Sequence, residues 1–143
     1  MRHVFILMLT ICTTTAFGQT SVESNDKKTP IHQLRIYEIP RENRQVFHER
    51  FRDHAQRIMK KYGFQIVAIW ESEFEGKLEF VYLLEWKDEP TMKSSWSNFM
   101  NDQEWKDIKA KTAKAHGTFV DKIEERTLIL TDYSPSKSFI DNN

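Results

Sequence analysis

Two neighbouring stretches, residues 65–74 and 78–87, are apolar on both parities, and that sets the burial problem any fold of this chain must solve. One parity reads Ile66, Ala68 and Trp70 in the first stretch and Phe80, Tyr82, Leu84 and Trp86 in the second, while the other still offers Val67, Ile69, Val81 and Leu83. Successive side chains point to opposite faces of a strand, so a sheet built from these segments is apolar on both sides. The two are joined at Glu75-Gly76-Lys77, where glycine permits the positive φ of a tight hairpin. Helices can cover only one face. The other needs a partner, and a second copy laid sheet to sheet supplies it.

The rest of the chain provides the helices. Ile31 to Ile39 is rich in β-branched and aromatic residues and stops at Pro40, which cannot donate to a ladder, so it predicts a first strand. From Glu42 to Tyr62 the apolar positions Val46, Phe47, Phe51, Ala55, Ile58, Met59 and Tyr62 recur at three- and four-residue spacing, which predicts an amphipathic helix closed by Gly63. Pro90 suits the first turn of a helix running to Met100. Asp102 can cap a further helical piece ending at Gly117, and Val120 to Thr131 reads as a fourth strand. The order is βαββαβ. It predicts an α+β, ferredoxin-like domain with a four-stranded antiparallel sheet and both helices on one face.

Aromatic and turn residues stand at fixed stations along that order: Leu34-Arg35-Ile36-Tyr37, Tyr62-Gly63-Phe64, Trp70-Glu71-Ser72, Tyr82-Leu83-Leu84-Glu85-Trp86, Trp96, and Asp102-Gln103-Glu104-Trp105. Their succession over residues 31–132 resembles the NIPSNAP family. The resemblance implies a ferredoxin-like unit that pairs into a dimeric α/β barrel, in agreement with the two-faced strands. Related barrel families include cofactor-free monooxygenases, isomerases and haem-degrading enzymes, so an enzyme of the first two kinds is one implied reading. Haem degradation is disfavoured, since those enzymes resemble one another in an asparagine on the first strand and Ile31 to Ile39 has none.

Residues 1–18 read as an export signal: Arg2, a short apolar run from Val4 to Ile11, and Ala16-Phe17-Gly18 before Gln19. The run is far shorter than the roughly 20 residues that span a bilayer, so no transmembrane segment is expected. Cys12 is the only cysteine and lies inside the signal. Bulky Ile11 stands where a lipoprotein signal needs a small residue, so lipid anchoring is not expected. The mature protein would then be periplasmic or secreted, in a bacterial setting, without disulfides. Residues 19–30 read as a flexible leader, 31–133 as the NIPSNAP-like domain, and 134–143 as a flexible tail.

Acidic and basic residues balance at 21 each, with no basic run. Nucleic acid is therefore not an expected partner, because such binding draws on clustered Lys and Arg. His32, His48 and His116 are scattered, and no spacing closes a metal site. The four glycines form no phosphate loop, and no cofactor is expected.

His54 follows Phe47 by seven positions and Phe51 by three, so it is expected to face the sheet, as a general base or a ligand contact. The competing reading is a buried histidine satisfied by a neighbouring hydroxyl or carbonyl. Tyr37, Trp70, Tyr82, Trp86 and Trp96, with Trp105, are expected to line a flat pocket beneath the helices, though aromatics at strand spacing most often serve as core. Arg35 is expected on the opposite side of the first strand from Tyr37, more as an ion-pair partner of a glutamate than as a carboxylate binder. The combined expectation is an exported homodimer whose helix–sheet cleft binds a small apolar or aromatic molecule. The alternative is a non-catalytic docking module.

Overall fold

The computed structural model describes residues 30–140; the expected signal, the leader up to residue 29 and residues 141–143 lie outside the described residues. Strands β1 (Ile31–Glu38), β2 (Gln65–Phe74), β3 (Lys77–Trp86) and β4 (Lys122–Ile129) form one antiparallel sheet in the order β2-β3-β1-β4. The first connection is helical throughout, running as α1 (Arg44–Arg50), a π-helical turn (Phe51–Ala55) and α2 (Gln56–Lys61). The second carries α3 (Glu89–Asn101) and α4 (Gln103–His116). This is the ferredoxin-like βαββαβ arrangement.

Local chemistry sets the element ends. Glu75 and Gly76 both take positive φ, 49° and 76°, the pairing a two-residue hairpin turn demands. The Asp88 side chain accepts from the Thr91 backbone N–H at 2.9 Å and opens α3, with Pro90 in the first turn where its missing donor costs nothing. Asp102 does the same for α4 through Trp105, at 2.9 Å. It also accepts from Tyr62 Oη at 2.7 Å and Lys61 Nζ at 2.9 Å, tying the end of the first helix to the α3–α4 corner. Those bonds, the Lys61 bond foremost, hold its carboxyl well below the usual range.

The helices cover the face that carries Gln33, Arg35 and Tyr37 of β1 and Phe80, Tyr82, Leu84 and Trp86 of β3. Phe47 lies 5.0 Å from Phe80 and Phe51 4.6 Å from it, ring centre to ring centre. Each such buried side chain contributes about 1.5–3 kcal/mol by leaving water. At the other end Gln33 Oε1 accepts from both Trp86 Nε1 (3.2 Å) and Trp96 Nε1 (2.7 Å), so one buried amide satisfies two indoles.

The opposite face has no helix on it. Leu34, Ile36, Val81, Leu83 and Ala68 are half-buried there, and Trp70 is 48% exposed. Residues 134–140, within the expected tail, lie over one end of this face: Ser138 Oγ donates to Glu85 Oε1 at 2.6 Å, the Phe139 N–H donates to Glu85 Oε2 at 2.7 Å, and the Phe139 ring stands edge-on to His32 at 5.1 Å. His32 and Glu85, 3.1 Å apart, are thereby buried. The apolar middle of the face stays uncovered.

Candidate functional site

A cleft opens between the first helix and the sheet. Tyr37 and Tyr82 form its floor, Phe47, Arg50, Phe51, Ala55 and Met59 its helical wall, and Phe99 and Trp105 its far side. The space open to the centre of a water molecule is about 50 Å³, several times the roughly 10–15 Å³ that one water needs. That is about a third of the roughly 150 Å³ of a cavity that takes up one benzene ring, so a ring-sized guest would extend out of the mouth of the cleft.

Two polar features converge on this apolar chamber. The first is the tyrosine pair: the rings stack with centroids 5.6 Å apart and the hydroxyls lie 3.0 Å from each other. Arg35 Nη2 donates to Tyr37 Oη at 3.0 Å, and Arg35 Nη1 pairs with Glu125. Burial first, then the Tyr37 hydroxyl, push the Tyr82 hydroxyl well above its ordinary pKa, so it stays protonated. The second feature is Arg50. Its guanidinium lies 3.7 Å over the Phe119 ring and donates to Thr112 Oγ1 at 2.8 Å, and among the described residues no carboxylate pairs with it. Burial without a counter-charge lowers its pKa to about 10.

The structure brings together three of the predicted residues, Tyr37, Tyr82 and Trp105, and separates the others. Trp86 and Trp96 form the adjoining core layer, packed against Phe64 at 4.8 and 4.7 Å and engaged with Gln33. Trp70 stands on the open face. The register of β2 shifts between Ile66 and Ala68: Ile66 sits opposite Leu84, but Ala68 sits opposite Leu83 and Trp70 opposite Val81. A one-residue bulge moves every later side chain to the other side, which the alternation of apolar residues does not reveal.

His54 does not face the sheet. It is exposed in an outer groove between the first helix and α4, beside Val46, Asp53, Ile108 and Thr112. Within the π-helical turn the buried position is Ala55, 2% exposed and already on the apolar stripe, and His54, one residue earlier, falls on the flank of that stripe. Arg35 lies on the same side of β1 as Tyr37, not the opposite one, because the two are separated by two positions; the expected glutamate pairing is present, with Glu125. Arg35 Nε is buried and has no hydrogen-bond partner among the described residues.

Arg50 was not anticipated. Its signal is a cation between Phe47 and Phe51 on the apolar stripe, where a solvated helix would carry none. Phe99 was not singled out either, while Trp105, expected at the pocket, reaches it from α4 beyond the Asp102 corner. Among the described residues no group of three or more His, Cys, Asp or Glu converges as a metal site would require. No helix among them is long and apolar enough to cross a membrane.

Sheet order, helix placement and cleft together define a ferredoxin-like α+β domain with a chamber under its first helix. The NIPSNAP family model matches residues 32–135, well over half of the 143-residue chain, and the protein belongs to the NIPSNAP family. The fold is similar to that of a NIPSNAP-like domain protein from Burkholderia xenovorans, at 14% identity and a TM-score of 0.64 over 77% of this chain and 92% of that one. A NIPSNAP family protein from Agrobacterium tumefaciens is similar at 17% identity and a TM-score of 0.64, over 74% of this chain and 97% of that one. At such identities the likeness is one of fold. No curated protein matches the chain.

Proposed function

We propose that the protein is an exported homodimer whose open sheet faces pair into an α/β barrel and whose helix–sheet cleft binds a small apolar or aromatic molecule. The cleft carries the ligand reading: a small aromatic chamber with two polar features in its lining, the usual composition of a small-molecule site. The uncovered Leu34, Ile36, Val81 and Leu83 support the dimer, since a second copy would bury them. Arg2, the apolar run that follows and Ala16-Phe17-Gly18 support export.

Native mass spectrometry of the mature protein from its host's envelope tests all three parts. The expected spectrum is a dimer lacking the first 18 or so residues and carrying a discrete adduct. A monomer would sink the sheet pairing, a dimer without adduct the retained ligand, and an unprocessed N-terminus the export. A second reading, a docking module without catalysis, draws on Trp70 and Phe74, which are 48% and 58% exposed. Under that reading Trp70→Ala abolishes partner binding, while substitutions in the cleft leave it unchanged.

A further inference from the structure

The donors and acceptors of the cleft do not balance. The two tyrosine hydroxyls share one hydrogen bond, which consumes one of their two protons, and Arg35 adds a donor to Tyr37 without accepting one. Whichever tyrosine donates, one phenolic proton is left over at the cleft floor. Arg50 carries five N–H donors and spends one on Thr112. Tyr37, Tyr82 and Arg50 all line the same cleft. A second cation, Lys109 Nζ, lies 5.9 Å from the ring of Trp105. Its pKa is lowered by burial and then by Arg50, as expected where positive charges gather without acids between them. The polar groups lining the cleft are two hydroxyls, which can donate as well as accept, and one guanidinium, with no carboxylate among them.

We propose that the ligand is a small carboxylate on a single-ring or similarly compact apolar body, its carboxylate between the Arg50 guanidinium and the Tyr37–Tyr82 pair and its body among Phe47, Phe51 and Met59. This rests on the cleft reading above and specifies its charge. A neutral guest of the same shape would leave Arg50 buried without a counter-charge, whereas a carboxylate gains charge-assisted hydrogen bonds that a neutral guest lacks. The aromatic rings around Arg50 lessen its isolation without supplying an acceptor lone pair.

Benzoate and benzamide, nearly equal in shape but one anionic and the other neutral, separate the two levels of the argument on the unmodified protein. Titration calorimetry or ligand-observed NMR should show benzoate bound roughly tenfold to a hundredfold more tightly, the span of a charge-assisted bond. Equal binding of the two overturns the anion inference and leaves the cleft reading standing. Binding of neither, up to millimolar concentration with the protein folded, overturns both. In Arg50→Gln the preference for benzoate should collapse, and its persistence would remove Arg50 from the site. Should Arg50→Gln fail to fold, Tyr82→Phe, which deletes one hydroxyl and keeps the ring, should weaken benzoate more than benzamide; an equal effect on both counts against the arrangement.

Discussion

On the helix-covered face of the sheet, Trp86 and Trp96 give their indole N–H groups to one buried glutamine, whereas on the open face Trp70 stands half exposed above Val81. The first face is interlocked: Phe47, Phe51, Phe80 and Tyr82 meet at ring distances of 4.6–5.8 Å. The second is aliphatic across its middle and closed only at the end where Phe139 and Ser138 meet His32 and Glu85. A finished core needs specific partners for its polar atoms. An apolar face left open needs only shape and apolar area to take a partner. The contrast explains why one sheet can hold both a chamber with directed donors and a face with none.

The sharpest way to break the contrast is to empty the finished face. Trp86 is 1% exposed, and Trp86→Ala should cost about 3–5 kcal/mol of unfolding free energy in urea melts, since a large cavity opens against Phe64. A loss under about 1 kcal/mol would mean that this face is not the core. On the open face a charge should act differently. Val81→Lys should leave the fold of each chain in place while weakening self-association by about 2–4 kcal/mol, the effect of a central interface position, read by sedimentation equilibrium. An unchanged dimer would place the interface elsewhere.

Gln33 sharpens the comparison at the level of single hydrogen bonds. Gln33→Leu keeps the volume and deprives both indoles of their acceptor, so it should cost about 1–3 kcal/mol. A neutral result in thermal melts would show that the two tryptophans are held by packing alone.

Much of the fold is legible in the sequence because it depends on local rules. Pro40, Glu75-Gly76, Asp88 with Pro90, and Asp102 each end or start an element by their own chemistry. The two apolar parities of β2 and β3 announce a sheet that is apolar on both faces. The site was half legible for the same reason: Tyr37 and Tyr82 follow strand alternation in regular strands. Trp70 lies past the β2 register shift, which turns it to the open face, and His54 lies inside the π-helical turn, on the flank of the stripe that carries Ala55. Such insertions are settled by tertiary packing, and nothing in the apolar spacing marks them. Arg50 is the converse case, a charge on the apolar stripe whose meaning depends on Trp105 and Phe119, far away in sequence.

The smallest expected effect is a pH dependence at the helix-side edge of the sheet, where Glu71 of β2 meets α1. Arg44 pairs with it through two bonds of 2.7 and 2.8 Å, and His48 Nε2 lies 2.8 Å from the same carboxylate. The Arg44 bonds foremost, then His48, lower its pKa from 4.5 to about 2. A carboxylate held lower in the folded than in the unfolded chain contributes stability in full above 4.5, and that contribution is lost as pH falls from there toward 2. The groups are partly exposed, so water screens them and the contribution should not exceed about 1 kcal/mol. Glu71→Gln should therefore flatten the fall of the urea midpoint below pH 4.5 and lower the midpoint slightly at neutral pH. A variant with the parent's slope would show that the first helix is held to this edge by Phe47 and Phe51 alone, making the helix-covered face still less dependent on its charged rim.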